Sequence, residues 1–260
     1  MSDSIQRERS TQPSTQVALR DFTSARVSLR RTGISLATSE ILDFQLAHAQ
    51  ARDAVKAELD ANFFASRIRA EIPALAVVPV FVLASAASDR ATYLRRPDLG
   101  RMLDAASANI LGPTACDVVL VVADGLSAIA VERHAGPLLS LLTPVLVDSG
   151  WKIGPVCIVR QARVAIGDQI SEKLGASLAV VLIGERPGLS APDSLGAYIT
   201  WMSGTGQTDA ERNCVSNIRT QGLGYADAAA KITFYCNEAR RMRYTGTALK
   251  EIDSLRIASE

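Results

Sequence analysis

Few residues in this chain of 260 have the types and spacing to do chemistry, and their arrangement excludes more than it offers. The four cysteines, Cys116, Cys157, Cys214 and Cys236, lie far apart with no CxxC pair, so sequence neighbours cannot assemble a zinc ribbon or a redox dithiol. No secretory signal precedes them, and they read as reduced, mostly buried thiols of a cytoplasmic protein. Two histidines, His48 and His134, are too few for a His-rich metal site. His48 reads as a mid-helix residue and His134 as one near a helix end, where a cation suits the dipole, so both read as structural. A Cys–His nucleophile pair built on Cys214 has no sequence signature, and neither catalytic residues nor metal ligands are expected. Gly204-Thr205-Gly206 lacks the third glycine of a dinucleotide loop and does not follow a first strand; no GxxxxGKS pattern occurs.

What remains are polar turns that follow apolar runs. The almost wholly apolar run 117–123 reads as a strand buried on both faces and is followed by Asp124-Gly125-Leu126-Ser127, with Ser127 placed to cap a helix. The run 155–159 precedes Arg160, Gln161, Arg163 and Val164, and 178–183 precedes Gly184-Glu185-Arg186-Pro187-Gly188. Further strands are expected at 80–84 and 197–201, and helices at 99–111, 137–150, 168–174 and 225–243. Strands spaced by helices imply crossover units, so the fold class is α/β: a mainly parallel, Rossmann-like sheet flanked by helices. Ligands in such sheets bind beyond the carboxyl ends of the strands, which puts the turns 124–127, 160–164 and 184–188 at one edge. A helical extension precedes the sheet, with helices expected over 35–59 and 62–70. The organisation expected is a flexible arm over 1–20, a helical region over 21–79 and an α/β domain over 80–260.

Composition narrows the partners. Apolar residues make up 48% and charged residues 21%, enough to build an ordinary core. Lys plus Arg is 28 against 27 for Asp plus Glu, so no basic excess points to nucleic acid. The most apolar stretch, 72–87, contains Pro73 and Pro79 and is shorter than the roughly 20 residues a spanning helix needs, so no membrane anchor is expected.

Six segments then stand out as a set: YLRRPDLGRML at 93–103, VVADGLSA at 121–128, ARVAIGDQI at 162–170, GERPGL at 184–189, PDSLGAY at 192–198 and NCVSNIRTQGL at 213–223. In this order and spacing they resemble the ethanolamine ammonia-lyase small subunits, and 28–55 is similar to that family's N-terminal helical segment; the likeness covers about 20–245. The resemblance implies a subunit of a carbon–nitrogen lyase that converts ethanolamine to acetaldehyde and ammonia with adenosylcobalamin. It implies a larger catalytic partner subunit, a hetero-oligomer of several small and large subunits, and cobalamin held at their interface with its own base still on cobalt. Glu132-Arg133-His134-Ala135-Gly136 is only an echo of the DxHxxG pattern that supplies a protein ligand to base-off cobalamin. By the same resemblance the cofactor contacts are Val164 through its backbone, Glu185 through its carboxylate and Cys214 as a small soft contact. In some relatives a longer N-terminal arm helps packaging in a bacterial microcompartment; with the short arm here, the implied location is the cytoplasm, with such a compartment as the alternative. Two other readings stay open: a purely structural partner that touches no cofactor, and a free-standing enzyme using Cys214.

Overall fold

The strand Val118–Ala123 (β4), VVLVVA, is buried along its whole length, because an all-apolar run leaves no face that water can take. In the computed structural model, which describes residues 25–202 and 207–249 with Leu19, Phe22 and Thr23, this strand lies inside a six-stranded sheet. The chain divides into two compact units, residues 1–50 and 51–260. The arm expected over 1–20 lies, apart from Leu19, outside the described residues.

The first unit holds a short hairpin, β1 (Arg31–Thr32) and β2 (Ser35–Leu36), turning at Gly33 with φ +64°. Helix α1 (Thr38–Lys56) starts in this unit. The second unit carries the sheet, made of β3 (Val80–Ala84), β4, β5 (Ile153–Arg160), β6 (Leu178–Gly184), β7 (Leu195–Trp201) and β8 (Asn213–Ile218). Their order is β3-β5-β4-β6-β7-β8; the first four are parallel, and β7 and β8 add as an antiparallel meander. The mainly parallel α/β architecture read from the sequence is therefore the one observed.

Helices cover the two faces unequally. One core is built from Leu120, Val180 and Leu182 of the sheet with α2 (Ala61–Glu71), α6 (Gly136–Asp148) and α8 (Tyr225–Met242). The other sets Val119, Val121 and Val181 against Ile166, Ile170 and Leu174 of α7 (Ile166–Leu174). Gly167 makes that packing close, since a Cβ there would lie 2.5 Å from Val181 Cγ2. Helix α7 lies on β4 and β6, leaving the same face of β7 and β8 with a half-buried Tyr198 and exposed Cys214 and Ser216.

Several local expectations are corrected. The helix expected over 99–111 is interrupted: a 3-10 turn covers Leu99–Arg101, Leu103 bridges to Ser85, and α4 (Ala105–Ile110) restarts where the Asp104 side chain accepts from the Ser107 N–H at 2.7 Å. Helix α3 (Arg90–Arg95), capped by Asp89, was not anticipated from sequence. Beyond the short α5 (Ala128–Ala130), capped by Ser127, a π-helical turn over Val131–Ala135 opens α6. Strand β8 was not anticipated, because NCVSNI is an edge strand with a polar outer row and offers little apolar signal.

Because β5 and β6 leave β4 in opposite directions, the topological switch falls between β4 and β6. There Gly125, with φ +57°, brings the turn against β6: a Cβ would sit 2.3 Å from the Gly184 carbonyl oxygen. Asp124, almost wholly buried, accepts from the backbone N–H groups of Gln161 (2.9 Å) and Ala162 (3.1 Å), with the Arg90 guanidinium 3.8 Å away. Asp124→Ala would strand Arg90 and both N–H groups, so the variant is expected to lose about 3–5 kcal/mol of stability in urea unfolding.

Candidate functional site

The three turns at the carboxyl edge do not share one fate. Most polar groups of the first two are consumed by the fold. Arg90 donates to the Gly125 carbonyl (2.8 Å), the Val55 carbonyl (2.8 Å) and the Gln161 side-chain carbonyl (3.4 Å), while Ser85 donates to the Gln161 carbonyl (2.6 Å). Tyr93 donates to the Ala162 carbonyl (3.1 Å), and its ring lies under both Arg163 (4.3 Å) and Arg90 (4.9 Å). Gln161 takes φ +54°, a conformation that this network over-determines.

Val164 follows at the start of α7, half-buried against the second core. Its carbonyl accepts from the Gly167 N–H (3.1 Å), so the helix's first turn uses it. Its own N–H has no hydrogen-bond partner among the described residues, as befits a helix start.

The third turn, after β6, presents Glu185. Neither Arg163 nor Arg186 pairs with it among the described residues. Instead Glu185 Oε2 accepts from the Ser194 hydroxyl and from the Asn217 N–H (3.2 Å), and the Glu185 N–H donates to the Ser194 carbonyl (2.9 Å). The side chain lies over Gly196, where a Cβ would come within 2.9 Å of Oε1. Alternation along β6, β7 and β8 puts Glu185, Gly196, Tyr198 and Cys214 on the face that α7 leaves open, with Tyr198 paired to both Val181 and Cys214. Glu185 and Cys214 are thus brought onto one surface through Tyr198, and Val164 belongs to the same side of the sheet.

Electrostatics keep this surface protonated where it can be. The Cys214 residue is exposed, yet its sulfur lies against the sheet beside Tyr198. Desolvation, opposed by the Tyr198 hydrogen bond and reinforced by the Glu185 charge, raises the thiol above its ordinary value. Tyr198 is raised chiefly by burial. A thiol held protonated is a poor nucleophile. The strand that carries Cys214 is fixed by Arg212, which donates to both Asp168 oxygens at 2.7 Å and clips the start of β8 to the first turn of α7.

Ser194, Gly196, Tyr198 and Asn217 were not singled out from sequence. The alternation in LGAY was the available signal; the role of Asn217 depends on its left-handed backbone (φ +58°), which residue type alone did not reveal.

The loop between Glu185 and Ser194 is anchored at its far end. Asp193 accepts from Arg133 (2.8 Å) and lies 3.4 Å from His134 Nε2, whose Nδ1 is 2.9 Å from the Tyr225 hydroxyl. A carboxylate only accepts, so Nε2 carries the proton and Nδ1 accepts from Tyr225. Burial, only partly offset by Asp193, lowers the His134 pKa below 6.5. Burial also opposes the charge on Asp193, but hydrogen bonds and charges from Arg133 and His134 outweigh it and hold that carboxyl below its ordinary value. A lowered His pKa means that the unfolded chain binds the extra proton first, so stability falls as pH drops below 6.5 towards the folded value. Urea midpoints between about pH 7.5 and about pH 5.5 should therefore fall less in His134→Gln than in the parent chain.

Known proteins add a family. The model of the ethanolamine ammonia-lyase light chain matches residues 13–250. The ethanolamine ammonia-lyase small subunit of Ralstonia nicotianae is 50% identical over 240 residues, covering 90% of this chain and 87% of that protein. Those of Pseudomonas putida and Xanthomonas campestris pv. campestris are 48% and 49% identical, again over 90% of this chain and over 87% and 86% of theirs. The chain belongs to the ethanolamine ammonia-lyase light chain family.

Proposed function

We propose that this chain is the small subunit of an adenosylcobalamin-dependent ethanolamine ammonia-lyase and that it closes the cobalamin site against a large catalytic subunit. The observation that carries the reading is the exposed face of β7 and β8, which ends at a carboxylate with one oxygen unclaimed: Oε1 of Glu185 meets no donor among the described residues. A corrin is broad, flat and fringed with amides. It suits a surface with a glycine at its centre, a carboxylate to accept amide N–H groups and a small thiol beside them. Glu185 and Cys214 would hold it there, with the Val164 N–H as a further donor; the α/β region from residue 80 onward is the part that meets the cofactor.

His134 supports a base-on cofactor. Both its ring nitrogens are engaged, it is 4% exposed, and it is not a free ligand for cobalt. When bound, adenosylcobalamin supplies the radical chemistry by cleavage of its cobalt–carbon bond. This chain's residues bind the ring's edge, orient it and keep water from that side.

A purely structural partner is the second reading, favoured by the way the turns after β4 and β5 are spent on internal hydrogen bonds. Spectroscopic titration of cobalamin against each subunit, separately and mixed, divides the two. The cofactor role predicts tight binding only in the mixture; full-affinity binding by the large subunit alone would establish the structural one. In the mixed complex, Glu185→Ala should weaken cobalamin about 10- to 100-fold, the usual worth of a charged hydrogen bond.

A further inference from the structure

We infer that Ser194 and Asn217, with Gly196 beneath, form a frame that fixes the Glu185 carboxylate so that Oε2 is held by the protein and Oε1 is offered to the ligand. They are positioning residues, and the inference rests on the reading of Glu185 as a cofactor contact.

Both protein donors, the Ser194 hydroxyl and the Asn217 N–H at 3.2 Å, converge on Oε2. A glutamate with three free torsions would otherwise sample many orientations and lose entropy on binding. Ser194 is 5% exposed and is held by three further constraints. Its carbonyl accepts the Glu185 N–H at 2.9 Å, so the loop between them closes on itself. Its neighbour Asp193 is tied to Arg133 and His134, and the Pro192 carbonyl accepts from Ser127 at 2.9 Å.

Asn217 delivers its N–H through an unusual backbone. At φ +58° it belongs to the region that non-glycine residues rarely enter, with asparagine the tolerated exception. Three contacts keep it there. Its carbonyl accepts from the Leu223 N–H at 2.8 Å, its side-chain oxygen accepts from Arg219 Nε at 2.9 Å, and Gly222 packs so closely that a Cβ would come within 2.3 Å of the Asn217 carbonyl oxygen. The segment NIRTQGL thus makes a tight turn whose product, on the site side, is one N–H aimed at Glu185. Gly196 completes the frame, since any side chain would displace the carboxylate from the strand.

The test uses the complete complex of small and large subunits and reads the apparent KM for adenosylcobalamin separately from kcat. Ser194→Ala is expected to raise that KM about tenfold with kcat little changed, and Ser194→Thr, which keeps the hydroxyl, to restore most of it. Gly196→Ala approaches the carboxylate from the other side and should raise KM while leaving every donor in place. Neither substitution should matter further once Glu185→Ala is present, because both act through that carboxylate. Equal urea midpoints for the isolated variants and the parent separate positioning from loss of fold. The inference is overturned if Glu185→Ala weakens cofactor binding while Ser194→Ala and Gly196→Ala do not, or if their effects persist undiminished in the Glu185→Ala background. If Glu185→Ala itself leaves the KM unchanged, the cofactor reading falls and the frame falls with it.

Discussion

The arrangement of the sheet edge depends on one buried carboxylate. Asp124 sits where β4 ends, out of contact with water, and desolvation alone pushes its pKa up. What keeps it there is that both oxygens are met: the Gln161 and Ala162 N–H groups reach them at 2.9 and 3.1 Å, and Arg90 stands 3.8 Å away. A charge without these partners would cost several kcal/mol. With them, the ends of β4 and β5 are locked together, and Arg90 carries the lock on to Gly125 and α1 through carbonyls that would otherwise lack donors. The Gln161 N–H meets one Asp124 oxygen and the Ala162 N–H the other, which ties the turn after β5 to the end of β4.

That lock decides which part of the edge can bind something else. Polar groups committed to it cannot serve a ligand without giving up an internal bond, so the turn after β4 and most of the turn after β5 are frame, and the unspent side-chain acceptor of the edge lies across the switch point at Glu185. The antiparallel addition of β7 and β8 then matters. It extends the sheet past the reach of α7, so that Tyr198, Cys214 and Ser216 lie on a surface without the helix that covers β4 and β6. The Arg212–Asp168 pair holds this extension against α7 and sets the distance between the helix and the open strands.

The sequence carried the central strands plainly. Runs such as VVLVVA and LAVVLIG have too little polarity to be anything but interior, and the glycine and proline punctuation around them marks the crossovers. It also carried the shared edge of the three turns, because parallel strands joined by crossovers all end on one side. It did not separate the turn that keeps an unspent carboxylate oxygen from the turns that brace. Asp124, Gln161 and Glu185 are equally polar in sequence, and only their partners in space tell them apart. β8 was hidden for a related reason. An edge strand needs one apolar row, here Val215 and Ile218, and its other row of Cys214, Ser216 and Asn217 reads as loop. Asn217 was the least legible, since its contribution is a backbone direction and not a side-chain property.

His134, Tyr198 and Cys214 are each shifted towards their neutral forms. His134 is kept neutral by burial and bound at both nitrogens, and Tyr198 and Cys214 are pushed towards their protonated forms. Glu185 stands apart as a carboxylate with fixed geometry and one unspent acceptor. A surface meant to move protons would place a group with a pKa near neutrality against a second group to exchange with. This one places a fixed acceptor beside neutral, protonated neighbours.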